Sequence, residues 1–457
     1  MRSRPKWRLF YFGVRFLKAG RNWVVVTAFF AAPAVGQPAR EPYLFDSNPT
    51  HIWNRLHAAL YERSDADGHG YGRDELDPLL WAQTRYLISG PSRDAAIRVM
   101  DEFLSGQAER LIRDPIKRAI LQRDLWAVFD WLAERSGVNG GASRELETRI
   151  AAIMRRVALS EAEIRALQDN YAAAMGSRKF AERYDGAHRA QPFLPPDLFA
   201  PAGQWVPLGT QDGEPVALSH LYEVKGHSAF QVFLNLPGGR NETLEYLKKL
   251  SEYPRHWRFN AERRGPDDPE LIPNPDVPQF PPGTQVALVR RMMLVDDQGR
   301  PAVTGVTESV QIRVYRAIAE EAPPGTRRAD RFQDGVEFRL SRAQLLRNQP
   351  GGLRAVEPGE KQFPVLFSHG FDLFEMKPED GPIGRHLLPV LQSCTQCHQH
   401  AGILSMLSYT GSFSGPRFSH PARLVEASAA EEGRRIVWRK RERYDWGLLE
   451  GLWRARP

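Results

Sequence analysis

Cysteine is almost missing from this chain. Its 457 residues hold two, Cys394 and Cys397. That excludes the disulfide framework that staples small secreted domains. Long apolar runs are missing too. The most apolar stretch near the start, from Trp23 to Phe30, falls short of the roughly 20 residues that cross a bilayer. No internal repeat, Gly-x-Ser-x-Gly elbow, His-Glu-x-x-His pair or P-loop occurs, so no hydrolase or nucleotide-binding signature can be assembled from spacing. What is present is ordinary globular composition, 42% hydrophobic and 26% charged. The length is more than one ordinary core and predicts two or three domains.

Acid is absent from Met1 to Asn22, whereas Arg2, Arg4, Lys6, Arg8, Arg15, Lys18 and Arg21 all fall there. The short apolar run follows, and then Ala31-Ala-Pro-Ala-Val-Gly36. A basic start, a short apolar stretch and small residues are the parts of a secretory signal. The expectation is a signal over 1–36 cleaved between Ala32 and Ala39, with an uncleaved membrane anchor as the alternative. The protein would then work in the periplasm or cell envelope. The chain has 62 basic and 55 acidic residues, net +7. That excess equals the seven basic residues of the signal, so the rest is near neutral and nucleic acid is not an expected partner.

Periodicity predicts an α+β protein. Residues 37–190 read as a helical bundle domain. Apolar spacing predicts helices over Arg93–Arg113, from Pro115 to Gly137, and over Ser143–Val157. Ser160 with Glu163 is a capping box for a fourth, ending near Met175. After the proline-rich Gln191–Asp197, residues 191–350 read as β-rich. Ser228–Leu236 is a predicted strand. Gln285–Val295 and Ser309–Tyr315 form a predicted hairpin, and Gly335–Leu340 another strand. Residues 351–430 carry both cysteines. The tail, 431–457, is basic, contains Trp438, Trp446 and Trp453, and reads as one amphipathic helix that docks on the protein's own body, or on a partner or a membrane surface.

The specific stretch is Leu391–His400, LQSCTQCHQH. Cys394-Thr-Gln-Cys397-His398 resembles the haem attachment motif of c-type cytochromes, Cys-x-x-Cys-His. The resemblance covers these five residues only. It implies one covalent haem c, anchored by Cys394 and Cys397, with His398 as the proximal iron ligand. On a helical turn, positions i and i+3 face the same side, which suits two thiols on one haem edge. The alternatives left open are a zinc site of Cys394, Cys397, His398 or His400 and one distant histidine, a redox dithiol and a plain disulfide.

Small cytochromes c carry the motif early, with a distal methionine several dozen residues on. Here the one methionine after His398 is Met406, so the haem is expected on a larger, different body. His369 is the first candidate for the distal ligand, Met376 and Met406 the next; His386 and His420 are also available, and His400 is expected to face solvent. The leading expectation is electron transfer with an unspecified redox partner. A haem enzyme with an open sixth position is the second, and a non-haem envelope scaffold with a disulfide or zinc clasp the third. Asp65–Leu76 resembles a calcium loop but lacks the acid at its twelfth position. A polar turn capping a helix after Asp74 is the expectation there.

Overall fold

Helices form where apolar spacing and closed ends coincide. The computed structural model describes residues 43–64, 70–74, 86–139, 141–253, 255–263, 265, 271–318, 332–347, 349–362, 388–393, 398, 401–407 and 423–455. The proposed signal segment lies outside them. α1 (Ile52–Tyr61) opens on His51, whose ring accepts from the Trp53 amide. α2 (Pro91–Ser105) has its proline in the first turn, where the missing N–H costs nothing. It stops short of Arg113, because Gly106 caps it and a separate 3-10 turn follows at Ala108–Arg110.

α3 (Pro115–Asn139) and α4 (Gly141–Val157) occupy the stretches expected. The capping box at Ser160 and Glu163 is made in both directions. The single helix expected after it is two, α5 (Glu161–Ala166) and α6 (Asn170–Gly176). Asp169 accepts from the Tyr171 and Ala172 amides and so starts a new helix. Asp74 accepts from Ser341 Oγ at 2.7 Å and the Ala343 amide at 3.0 Å at the start of α9 (Arg342–Leu346), and the helix expected after Asp74 falls on residues outside those described.

The fold is mixed helix and antiparallel sheet. Seven strands form the main sheet: β1 (Val206–Thr210), β2 (Ser228–Asn235), β3 (Gln285–Val295), β4 (Pro301–Tyr315), β5 (Gln333–Leu340), β6 (Leu353–Ala355) and β7 (Leu424–Glu426). The order is β6-β5-β4-β3-β2-β1-β7, antiparallel throughout. The β3–β4 hairpin forms as expected. Its second strand begins at Pro301 rather than Ser309, and the register shifts at Arg290 and Arg291. Residues Pro42–Pro457 make one compact unit, so the helical, β-rich, cysteine-bearing and tail stretches share a body. Among the described residues no helix is long and apolar enough to cross a membrane.

Alternation along the strands divides two apolar layers. Ala229, Phe233, Ala287, Val289, Val310, Ile312 and Phe338 join the helical layer. Phe230, Val232, Leu234, Val286 and Tyr315 join a second cluster with α8 (Arg240–Ser251) and with Ile403, Leu404 and Leu407. The tail is two helices, α12 (Ala429–Arg441) and α13 (Tyr444–Arg454), split after Arg441. Trp446 and Trp453 are buried on the body, whereas Trp438 is 53% exposed.

A buried polar network joins helices to sheet. Arg123 Nε donates to Glu308 Oε1 at 2.6 Å, and Ser228 Oγ to Glu308 Oε2 at 2.7 Å. Arg290 pairs with the same carboxylate at 3.0 Å. Arg342 holds Asp124 through both Nη atoms at 2.7 Å and reaches the Tyr61 hydroxyl at 3.0 Å. His57 bridges Asp124 at 2.9 Å and Glu62 at 3.2 Å.

Candidate functional site

The site lies on the second face of the sheet. The chain reaches it through α10 (Val390–Ser393), whose Val390 is fully buried. Cys394 and Cys397 lie outside the described residues, as do His369 and Met376; His398 is described. It is 9% exposed, and its Nδ1 is 2.6 Å from the Ser405 carbonyl. A carbonyl only accepts, so Nδ1 carries the hydrogen and Nε2 is the unprotonated ring nitrogen.

Ser405 is fixed by three neighbours. It sits on α11 (Ile403–Met406), which opens at Gly402 with φ +53°. The Ile403 amide donates to Gln279 Oε1 at 2.9 Å. The positive φ favours glycine there, and a Cβ on residue 402 would also displace the end of the Gln279 side chain. Ser405 Oγ is 2.7 Å from the Tyr315 hydroxyl and accepts from Gln333 Nε2 at 3.4 Å. The end of β4 thereby positions the carbonyl that orients His398. Met406, named from sequence as a possible ligand, ends α11 and packs half-buried on the second apolar cluster.

His220 is the residue that sequence reading missed. It lies on α7 (Leu218–Glu223) and its ring is nearly parallel to that of His398, at 10° with centroids 6.1 Å apart. It also meets Phe230 of β2 at 5.5 Å. The Arg290 guanidinium lies 5.6 Å from the Phe230 centroid. Arg313, on the same β4 face as Tyr315, has a buried Nη1 without a hydrogen-bond partner, and Gln333 Oε1 is likewise buried and unpartnered.

The electrostatics keep both rings neutral. Burial, then the charges of Arg313 and Arg290, push His220 down to about 4. Burial, then Arg313 and His220, hold His398 well below its ordinary value, outweighing the Ser405 carbonyl. Neutral imidazole is the form that ligates metals. Among the described residues no group of three His, Cys, Asp or Glu is gathered to hold a metal ion. The site therefore offers paired imidazoles, cationic donors and an apolar wall. No family model matches the chain, and no curated protein and no solved structure matches it.

Proposed function

We propose that this chain is an exported, c-type cytochrome-like protein that carries one covalent haem c and transfers electrons through it. The observation that carries this reading is the setting of His398, the histidine of the Cys-x-x-Cys-His motif. It is buried and donates its Nδ1–H to the Ser405 carbonyl. Metal-ligating histidines use their second ring nitrogen in this way, which fixes the tautomer and strengthens the donor.

The surroundings fit a haem. The unpartnered Arg313 Nη1 is a buried donor of the kind a propionate carboxylate takes. Ile403, Leu404 and Leu407 supply apolar cover. Cys394 and Cys397 would each add across one vinyl group. A sulfur–carbon bond forms and the thiol hydrogen passes to the neighbouring vinyl carbon, so no oxidant is needed and nothing leaves. When bound, the haem supplies reversible one-electron chemistry, with the electron exchanged with a redox partner. His398 would hold the iron, Ser405 orients His398, and the apolar cluster would limit water.

The test is expression of the full chain with an export route and a haem-attachment system. We expect haem staining to survive a denaturing gel, with one haem per chain. Cys394→Ala with Cys397→Ala removes it. A folded, exported wild-type chain without covalent haem overturns the proposal.

A further inference from the structure

We infer that His220 is the second axial ligand of the same haem, opposite His398, so that the iron is closed on both sides. The inference rests on the haem reading above and adds to it the sixth ligand, 178 positions upstream of His398 in the chain.

The geometry of the two rings carries it. Their centroids are 6.1 Å apart and their planes differ by 10°. Near-parallel rings at this spacing are in offset-stacked contact. Two imidazoles on opposite sides of one metal ion, with metal–nitrogen bonds of about 2.0 Å, place their centroids about 6 Å apart. The observed spacing is one that two imidazoles on a shared iron would also show.

His220 is also held before any ligand arrives. α7 is clamped at both ends. Before it, the Val216 amide donates to Glu432 Oε1 at 2.8 Å. After it, Lys440 Nζ binds the Lys225 carbonyl at 2.8 Å and Lys225 Nζ binds Glu134 at 2.7 Å. A ligand on a fixed element needs little reorganisation. Met406 is placed differently. It directly follows Ser405, whose carbonyl binds His398, and packs half-buried on the second apolar cluster.

Two imidazoles leave no open coordination position. The site is then suited to electron transfer and not to small-molecule chemistry at the iron. Its potential should lie below that of a histidine–methionine pair, since methionine ligation raises it.

The experiment compares the haem-loaded wild type with His220→Ala, His220→Met and His369→Ala. In the wild type we expect low-spin absorption in both oxidation states, the near-infrared and magnetic-resonance signature of two imidazoles, and no spectral change under carbon monoxide. His220→Ala should keep its covalent haem, turn high-spin, and bind carbon monoxide or added imidazole. His220→Met should raise the midpoint potential and add a sulfur-to-iron charge-transfer band. His369→Ala should match the wild type. If His220→Ala retains haem and its low-spin, carbon monoxide-insensitive spectrum, the ligand assignment fails while the haem reading stands. Should the variants not fold, the wild-type signature still decides, because a high-spin or histidine–methionine spectrum overturns the assignment. A wild type without haem overturns both.

Discussion

The two faces of the main sheet treat buried polar groups in opposite ways. On the helical side, charges close on one another: Arg123 with Glu308, Arg342 with Asp124, His57 between Asp124 and Glu62. Across the sheet, two neutral imidazoles face the positive charges of Arg290 and Arg313, and the Arg313 Nη1 donor is buried without a partner. A network whose charges cancel internally can serve the fold alone. A buried group of neutral nitrogen ligands beside cationic donors suits an added anionic, metal-containing group. Arg290 stands at the boundary, paired to Glu308 and lying near the Phe230 ring.

The sharpest way to break this contrast is at Asp124. Asp124→Ala leaves Arg342 and His57 buried without their shared acid. We expect a loss of about 3–5 kcal/mol in urea unfolding, with haem attachment unchanged in whatever protein folds. A loss below about 1 kcal/mol would mean that the network does not hold the fold.

Glu62 gives the pH dependence of the same side. Burial raises its pKa, but hydrogen bonds and charges from His57 and Arg73 outweigh that and hold it at about 2. The folded state therefore binds fewer protons than the unfolded one between about 4.5 and 2. The stabilisation is fully present above about 4.5 and is lost as pH falls through about 2. It amounts to about 3 kcal/mol at most. Unfolding midpoints measured down this range should fall more steeply in the wild type than in Glu62→Gln; parallel curves would contradict the assignment.

On the site face, Gly402→Ala meets both a positive φ and the Gln279 oxygen. We expect a loss of about 1–3 kcal/mol and an altered haem spectrum, because α11 carries the carbonyl that orients His398. The smallest stability effect is expected at Arg313. Arg313→Met should change unfolding free energy by less than about 1 kcal/mol. It should nevertheless lower the haem midpoint potential, since a nearby positive charge favours the ferrous form. A large stability loss with an unmoved potential would place Arg313 in the structural network instead.

Much of the fold was legible in the sequence, and the misses have local causes. Pro115, the Ser160–Glu163 box and the apolar alternation of Gln285–Val295 marked elements that form there. Apolar spacing runs on across Leu167, whereas Asp169-Asn170 is itself an N-cap signal, made by Asp169. β4 starts at Pro301 because hydrogen bonding to β3 continues through a polar, glycine-containing stretch that breaks the alternation. The tail splits at Arg443, a position with no proline or glycine to announce it. For the site, His398 was marked by its motif. His220 had no local signal in Leu-Ser-His-Leu-Tyr-Glu, because the ring it meets, that of His398, is 178 positions away in the chain.

The most direct measurement is the absorption spectrum of the full, exported chain, oxidised and reduced, with and without carbon monoxide. Two axial imidazoles on one covalent haem predict low-spin spectra in both states that carbon monoxide leaves unchanged. No haem absorption, or a spectrum that carbon monoxide shifts without denaturation, would contradict the account.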